Sequence, residues 1–245
     1  MQNKPVLRKF WVAILLLLFS CQETGKGHPA VSPVIDTVHI ARKISLQTPH
    51  LPYSRIDSID LAAVLEKKLP LWLSFAKKCD PSFDVRAFTK LPSVGFSPEL
   101  ENPDSEVVDR DWLKYLYIPS PDSKIMLDIY SYRYLMTKDS KGELHIGGAD
   151  PESTIETLDT QKHIRKRIHM AGSQDGFDDA CWITKDIFLV TGSEYMSDTA
   201  WQFTYYLYDL ERQRTVFGTW PVHPNSCGEN YLQKWKGKKW NVKWD

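Results

Sequence analysis

The spacing of apolar and polar residues predicts where this chain forms helix and strand. Between Ser58 and Lys78 apolar side chains recur every three or four positions, which is typical of an amphipathic helix. Asp57 or Ser58 is expected to cap the N-terminus of this helix. Pro70 lies inside the pattern and predicts a kink or two abutting helices, because proline lacks the amide hydrogen that an α-helix uses.

From Trp112 onward the apolar period changes to two, which predicts strands separated by turn residues. The predicted strands are Lys124–Leu135, Glu143–Ile146, His163–Met170, Ile187–Thr191, Trp201–Tyr208 and Arg214–Thr219. Residues 79–110 are rich in prolines, glycines and acids and are predicted to be loop. The sequence therefore predicts an α+β fold dominated by β-structure, with antiparallel sheets and one kinked N-terminal helix packed against them.

The chain begins with a targeting pattern. Lys4, Arg8 and Lys9 supply positive charge ahead of an apolar run at residues 10–19. This run is about half as long as the ~20 residues that a membrane-spanning helix needs, and its length matches the apolar region of a signal peptide. Residues 1–20 are therefore predicted to be a cleaved signal peptide.

The cleavage region resembles the lipobox of bacterial lipoproteins. Leu18-Phe19-Ser20-Cys21 has Leu three positions before the cysteine and a small residue directly before it, whereas Phe19 departs from the usual pattern. The resemblance implies that Cys21 receives a diacylglycerol and an N-linked acyl chain, which together anchor the protein in a membrane. Gln22 stands where the inner-membrane retention signal has Asp, so the expected location is the cell envelope at the outer membrane.

The remainder of the chain divides into a tether and a domain. Residues 21–52 contain several glycines and prolines and are predicted to be a flexible tether, with an edge strand conceivable at Val34–Ile44. Residues 53–245 are then predicted to form a single globular β-rich domain.

Charge excludes one class of partner. Removal of residues 1–20 takes three positive charges from the 31 Lys and Arg and none from the 31 Asp and Glu, so the mature net charge is −3. A domain with this balance shows no basic surplus for phosphate contacts, and no nucleic-acid partner is predicted.

Three cysteines remain if Cys21 is lipidated, namely Cys79, Cys181 and Cys227. In an oxidising compartment one pair could form a disulfide and leave one thiol, and the sequence does not decide the pairing. A nucleophile would be Cys181 with His169 or His223, but a structural role for Cys181 is favoured because it stands in an apolar segment beside a tryptophan.

Residues 112–220 resemble the β-propeller blades of TolB-like periplasmic proteins. The likeness rests on the turn Ser120-Pro121-Asp122-Ser123-Lys124 and on two loosely similar stretches. A closed propeller needs at least four blades of ~40–45 residues, so the resemblance implies blade-like antiparallel sheets in an open or sandwiched arrangement. Segments at Tyr117–Tyr132 and Phe177–Phe188 are also similar to uncharacterised envelope lipoproteins, which implies no activity.

One acidic cluster is a candidate for chemistry. Asp175, Asp178 and Asp179 follow closely after His169, and carboxylates in this density could bind Ca²⁺ or serve a hydrolase. Their order does not match an EF-hand loop, and a solvated turn in which Asp side chains cap backbone amides is the favoured interpretation. No catalytic residue, metal or cofactor is assigned.

The C-terminal tail is the second candidate. Trp235, Trp240 and Trp244 alternate with lysines, which could contact a membrane surface, a glycan or a protein partner. The alternative is a hairpin that turns at residues 236–239 and buries Trp240 and Trp244, and the alternation favours this hairpin.

The leading hypothesis is a non-enzymatic envelope lipoprotein, anchored to the membrane through Cys21, that acts as a binding or structural module with a protein or glycan partner. The alternative is an envelope hydrolase or Ca²⁺-binding protein that uses Asp175, Asp178 and Asp179, with His169 completing the hydrolase site.

Overall fold

The structure is a computed structural model that describes residues 55–101, 115–197, 200–223, 227, 230–240 and 242–245. The predicted signal peptide, Cys21, the tether and the edge strand at residues 34–44 lie outside the described residues. None of the helices within the described residues is long and apolar enough to cross a membrane.

Two short helices, α1 (Leu61–Lys68) and α2 (Pro70–Cys79), replace one long helix. Leu69 separates them with φ −126° and ψ 47°, and Pro70 is the first residue of α2. The residue before a proline avoids the helical region for steric reasons, so the chain bends at Leu69. The prediction of a break at Pro70 is confirmed.

The start of α1 differs from the prediction. Asp60 caps this helix, and its carboxylate accepts a hydrogen bond of 3.1 Å from the amide of Ala63. Residues Arg55–Ser58 form a separate 3₁₀ turn. The predicted caps, Asp57 and Ser58, were therefore wrong, because another Asp stands closer to the first apolar turn of the helix.

The strands form three sheets within the described residues. Their bounds are β1 (Thr89–Lys90), β2 (Val94–Gly95), β3 (Glu99–Glu101), β4 (Tyr117–Pro119), β5 (Ile125–Asp128), β6 (Tyr134–Lys138), β7 (Leu144–Gly148), β8 (Ser153–Asp159), β9 (Ile164–Ala171), β10 (Asp175–Trp182), β11 (Ile187–Ser197), β12 (Ala200–Asp209), β13 (Arg214–Thr219) and β14 (Lys243–Trp244).

The six-stranded sheet has the order β1-β13-β12-β11-β10, with β2 also paired to β13. The five-stranded sheet has the order β3-β9-β8-β5-β4, and the three-stranded sheet the order β14-β7-β6. Every pairing is antiparallel except that of β14 with β7. The prediction of a β-dominated fold with antiparallel sheets is confirmed, and none of these sheets closes on itself within the described residues.

The six-stranded sheet is buried on both faces. Leu189 and Leu207 project from one face into a core that includes Trp72 of α2; we call this the helix-side core. Phe188 and Tyr208, their neighbours in sequence, project from the opposite face into a core shared with the five-stranded and three-stranded sheets, the sheet-side core. Successive residues of a strand point to opposite faces, so β11 and β12 carry apolar side chains at consecutive positions.

The predicted strand Lys124–Leu135 is interrupted. Its first part is β5, and its end belongs to β6 in a different sheet. Asp128 causes the interruption, because its carboxylate accepts the amides of Tyr130 at 3.0 Å and Ser131 at 2.9 Å. Such local hydrogen bonds offer the backbone an alternative to a sheet ladder.

Several strands were not predicted from the sequence. Residues 79–101 contain β1, β2 and β3 as well as loop, and the rest of the predicted loop, residues 102–110, lies outside the described residues. Strand β8 lies in a segment for which no strand was predicted. The cluster predicted to be a solvated turn is part of β10, where Asp179 is buried.

The predicted C-terminal hairpin was wrong. Residues Leu232–Lys236 form a π-helical turn and Gly237–Lys239 a 3₁₀ turn, after which β14 pairs in parallel with β7. We call residues 231–239 the C-terminal helical segment. Tyr231 and Trp235, four positions apart, both pack on Phe75, with ring centroids 5.2 and 5.8 Å away. That spacing places both rings on one side of a helical turn.

Candidate functional site

A β-bulge in β10 brings two acidic residues to the same face of the six-stranded sheet. Phe177 pairs with Gly192 and Asp179 pairs with Thr191, so Asp178 is an extra residue between them. An extra residue breaks the alternation of a strand and redirects side chains. A Cβ on Gly192 would lie 2.3 Å from the carbonyl oxygen of Gly176, so the close approach at the bulge requires glycine.

Asp178 is held by a helix. The indole Nε1 of Trp72 donates a hydrogen bond of 3.1 Å to its carboxylate. Some solvent still reaches this side chain, but the atoms packed around it raise its pKa to about 7. Desolvation is the main cause and the negative charge of Asp179 adds to it, whereas Trp72 and Arg133 oppose the shift.

Asp179 is saturated by other protein groups. The hydroxyl of Tyr231 donates to its carboxylate at 2.5 Å, the amide of Ala180 donates at 2.9 Å, and Lys236 forms an ion pair with it. Lys236 also donates to the hydroxyl of Tyr130 at 2.8 Å. Asp179 thus fixes the C-terminal helical segment onto β10 and has little capacity left for a ligand.

A cleft of about 310 Å³ opens beside the bulge. Its aromatic lining comes from Phe75, Tyr134, Phe177, Tyr195 and Tyr231. Its polar lining comes from Arg133, Asp178, Ser193 and Asn230. The amide of Asn230 donates to the hydroxyl of Tyr134 at 3.3 Å, and Nη1 of Arg133 donates to the carbonyl of Asp175 at 3.1 Å and the hydroxyl of Ser153 at 3.2 Å.

The structure does not bring His169 and the three acids together. His169 packs on Phe177 and Tyr206 and does not line the cleft, and burial lowers its pKa. Asp175 pairs in register with Glu194, and burial together with this neighbouring charge raises its pKa. Of the three acids, Asp178 alone lines the cleft.

The three C-terminal tryptophans pack individually on the domain. Trp235 lies against Phe75, Trp240 against Tyr115 and Tyr130, and Trp244 against Tyr134, with ring centroids 5.8 to 6.0 Å apart. All three are half-buried. A binding role for their exposed edges stays a prediction.

The cysteines have separate roles. Cys79 and Cys227 form a disulfide. Cys181 is a free thiol in the helix-side core, and its pKa is raised to about 12, chiefly by burial. A neutral, buried thiol fits a structural residue rather than a nucleophile.

Two other clusters of potential metal ligands already have charged partners from the protein. Asp186, Asp209 and Glu211 surround the guanidinium of Arg55. The second group is Asp139, Glu143 and His145; Glu143 pairs with Lys243, and His145 contacts Asp245 at 2.9 Å.

Most of the residues that line the cleft were not predicted from the sequence. Arg133, Tyr134 and Asn230 belong to segments that were predicted to be ordinary strand or were not considered. A usable signal was present in Gly176 and Gly192, because an isolated glycine within a strand pattern suggests a bulge or a close backbone approach.

Comparison with family models, with curated proteins and with solved structures found no match to this chain.

Proposed function

We propose that this protein is an envelope lipoprotein, anchored through Cys21, whose domain binds a glycan in the cleft beside the β10 bulge. The observation that carries the proposal is the composition of the cleft, which combines aromatic side chains with polar groups held by hydrogen bonds. We also propose that the antiparallel sheets within residues 112–220 are related to the blades of TolB-like proteins, as the resemblance implies.

The lining suits a sugar. A sugar ring has an apolar face, which can lie on an aromatic ring such as Tyr134 or Tyr195, and hydroxyl groups, which need donors and acceptors. Asn230, Ser193 and Asp178 supply such polar groups. Contacts with Tyr134 and Trp72 already hold Asn230 and Asp178 in place, so little conformational entropy is lost on binding.

The size of the cleft favours a small ligand unit over a folded protein partner. Its volume of about 310 Å³ is at the lower end of the ~300–1,000 Å³ usual for small-molecule sites. A stable protein interface buries about 800 Å² on each partner, which a cleft of this size does not supply by itself.

The binding experiment uses the full-length lipoprotein in detergent and oligosaccharides released from bacterial envelopes, measured by calorimetry and saturation-transfer NMR. Tyr195→Ala removes an exposed ring that lines the cleft and is expected to weaken binding about tenfold, which corresponds to ~1.4 kcal/mol. Met196→Ala is the matched control, because Met196 is equally exposed and lies outside the cleft lining.

Binding that is lost in Tyr195→Ala and kept in Met196→Ala supports the proposal. Absence of binding to every envelope oligosaccharide, or equal affinity in wild type and Tyr195→Ala, contradicts it.

The anchor is tested separately. Cys21→Ala should release the protein from the membrane fraction and abolish incorporation of labelled fatty acid, because the acyl chains are attached to that sulfur and its amine. An acylated, membrane-bound Cys21→Ala variant would overturn the lipobox assignment without affecting the cleft.

The second candidate is a glycan hydrolase, favoured by the pKa of Asp178 near 7, which suits a general acid. Glycosidases usually need a second carboxyl group roughly 5–10 Å away. Asp178 is the one carboxyl group among the lining residues, and Asp179 is occupied by Tyr231 and Lys236. Product release by wild type and none by Asp178→Asn would favour the hydrolase over the binding module.

A further inference from the structure

Arg133 lines the cleft, and one nitrogen of its guanidinium, Nη1, is fixed by hydrogen bonds. Nη1 donates to the carbonyl of Asp175 and to the hydroxyl of Ser153. The backbone of Arg133 is fixed as well, since its amide donates to the carbonyl of Tyr130 at 3.1 Å and its carbonyl accepts from Ala149 at 2.9 Å. Nη2 and Nε make no hydrogen bond with any other residue in the described part of the chain.

The positive charge of Arg133 has no ion-pair partner within the described ranges. Two other half-buried arginines do have such partners: Arg165 lies against Glu156 and Asp128, and Arg55 lies against three carboxylates. A third, Arg214, instead donates hydrogen bonds to the carbonyl and hydroxyl of Ser93. A partly desolvated guanidinium is costly unless an anion compensates it. Arg133 therefore differs from Arg165 and Arg55 in lacking the anion.

The neighbouring backbone leaves room for the guanidinium. A Cβ on Gly176 would lie 3.1 Å from Nη1 of Arg133, which is tighter than an ordinary contact. Glycine at this position lets the guanidinium lie against β10 with Nη1 fixed and the rest of the group uncommitted. The Nη2 and Nε donors of arginine form a fork that matches the two oxygens of a carboxylate.

Asp178 compensates this charge only in part, since Arg133 lowers its pKa from a distance but forms no direct ion pair with it. It is the one acidic residue among those that line the cleft, and no ion pair joins it to Arg133. Its pKa is raised to about 7, so the protonated form is populated near neutral pH, and in that form it can donate a hydrogen bond to an oxygen of the ligand. A singly charged carboxylate suits this pair better than a phosphate dianion, which ionised Asp178 would repel more strongly.

We propose that Arg133 binds a carboxylate of the ligand, so that the cleft selects acidic glycans that contain hexuronic or other carboxylated sugars. This inference rests on the proposed function and gives the chemical class of its ligand. Arg133 supplies the charge and the planar fork, and the aromatic rings of the cleft hold the sugar that carries the carboxylate.

The experiment compares two probes on the full-length lipoprotein in detergent. One is an oligosaccharide of hexuronic acids, and the other is the same oligosaccharide after reduction of its carboxyl groups to primary alcohols. The wild type is expected to bind the carboxylated probe at least about tenfold more tightly, as for a charge-assisted bidentate pair, and added salt should reduce the difference.

Three variants assign the preference to Arg133. Arg133→Gln removes the charge and should bring the affinity ratio of the two probes close to one. Arg133→Lys keeps the charge without the fork and should give an intermediate ratio. Gly176→Ala keeps Arg133 but displaces its guanidinium, so it should lower the ratio even if Arg133→Gln fails to fold.

The outcomes separate the two proposals. Equal binding of both probes by the wild type, or an unchanged ratio in Arg133→Lys and Gly176→Ala, overturns the inference and leaves glycan binding standing. Tighter binding of a phosphorylated sugar than of the carboxylated probe overturns the choice of carboxylate. Failure of the wild type to bind any oligosaccharide ends both proposals.

Discussion

At the scale of single residues, the bulge creates an unusual position for a carboxyl group. Asp178 accepts a hydrogen bond from Trp72 and lies next to Asp179 within a densely packed region. Because desolvation disfavours the charged form, its folded-state pKa of about 7 lies far above its ordinary value of 3.8. The folded protein therefore binds this proton more tightly than the unfolded chain does.

Asp178→Asn should change the pH dependence of stability. In the wild type this carboxyl lowers the free energy of unfolding as pH rises from about 4 to about 7, because the unfolded chain ionises freely in that window and the folded protein does not. Asparagine keeps an acceptor for Trp72 without the charge. The variant should match the wild type near pH 4 and exceed its stability at pH 8 by on the order of 2 kcal/mol, after allowance for residual solvent.

Urea unfolding at pH 4, 6 and 8 measures this difference. Asp122→Asn is a control of opposite sign, because Ser120 and the amide of Lys124 lower the pKa of Asp122. That variant should lose stability above its folded pKa. Parallel profiles for the wild type and Asp178→Asn would show that Asp178 titrates normally.

The packing of β12 against β13 can be tested at Gly218, where a larger side chain has no room. Gly218 pairs with Tyr205 across β12 and β13, and a Cβ at this position would lie 2.1 Å from the Tyr205 ring. Gly218→Ala should therefore cost about 2–3 kcal/mol, as expected for overpacking. Gly147→Ala is the matched control, since no atom lies within 4 Å of its Cβ position. Thermal unfolding of both variants gives the comparison, and similar midpoints would contradict the packing at Gly218.

At the scale of elements, the C-terminal helical segment completes the wall of the cleft. Tyr231 and Leu232 line the cleft and are both buried. The segment is fixed to α2 by ring contacts with Phe75 and to β10 by the ion pair between Lys236 and Asp179. Because the C-terminal helical segment does not pair with a strand, its position depends on these few side-chain contacts.

Lys236→Met tests this attachment. The variant leaves the buried carboxylate of Asp179 without its counter-charge, and stability should fall by about 3 kcal/mol. Lys234→Met on the same segment is the control, because Lys234 is exposed and its removal should change stability by less than ~0.5 kcal/mol. Asp179→Asn combined with Lys236→Met should recover part of the loss. Denaturant midpoints of the wild type, Asp179→Asn, Lys236→Met and the double variant would show whether the two residues are coupled.

The elements also show which features the sequence could predict. The break at Pro70 was predictable because its cause is local, a proline whose ring excludes a helical conformation at Leu69. The acids of β10 were not, because the groups that satisfy them are distant in sequence: Trp72 precedes Asp178 by 106 positions, and Lys236 follows Asp179 by 57. A local pattern could only indicate a solvated turn there.

At the scale of the whole molecule, the six-stranded sheet separates two cores, and one covalent link joins chain segments on the helix side. The Cys79–Cys227 disulfide connects the end of α2 with the region before the C-terminal helical segment, across 148 positions of sequence. Helix α2 also contacts the C-terminal helical segment itself through Phe75 and Trp235. The disulfide and these ring contacts therefore hold the cleft wall together.

Reduction of this disulfide should lower stability and ligand binding together. Closing a loop of this length restricts the unfolded chain and is worth about 4–5 kcal/mol in the chain-entropy model. Cys79→Ser with Cys227→Ser, or reductant added to the wild type, should lower the unfolding midpoint and weaken glycan binding, because the segment that carries Tyr231 and Leu232 loses its link to α2.

Cys181→Ala is the control, because it removes a buried sulfur from the helix-side core without touching the disulfide. This variant should lose about 1 kcal/mol of stability and leave binding and the response to reductant unchanged. A wild type whose midpoint and affinity are the same with and without reductant would show that noncovalent packing of the segment on Phe75 and Asp179 is sufficient to form the cleft.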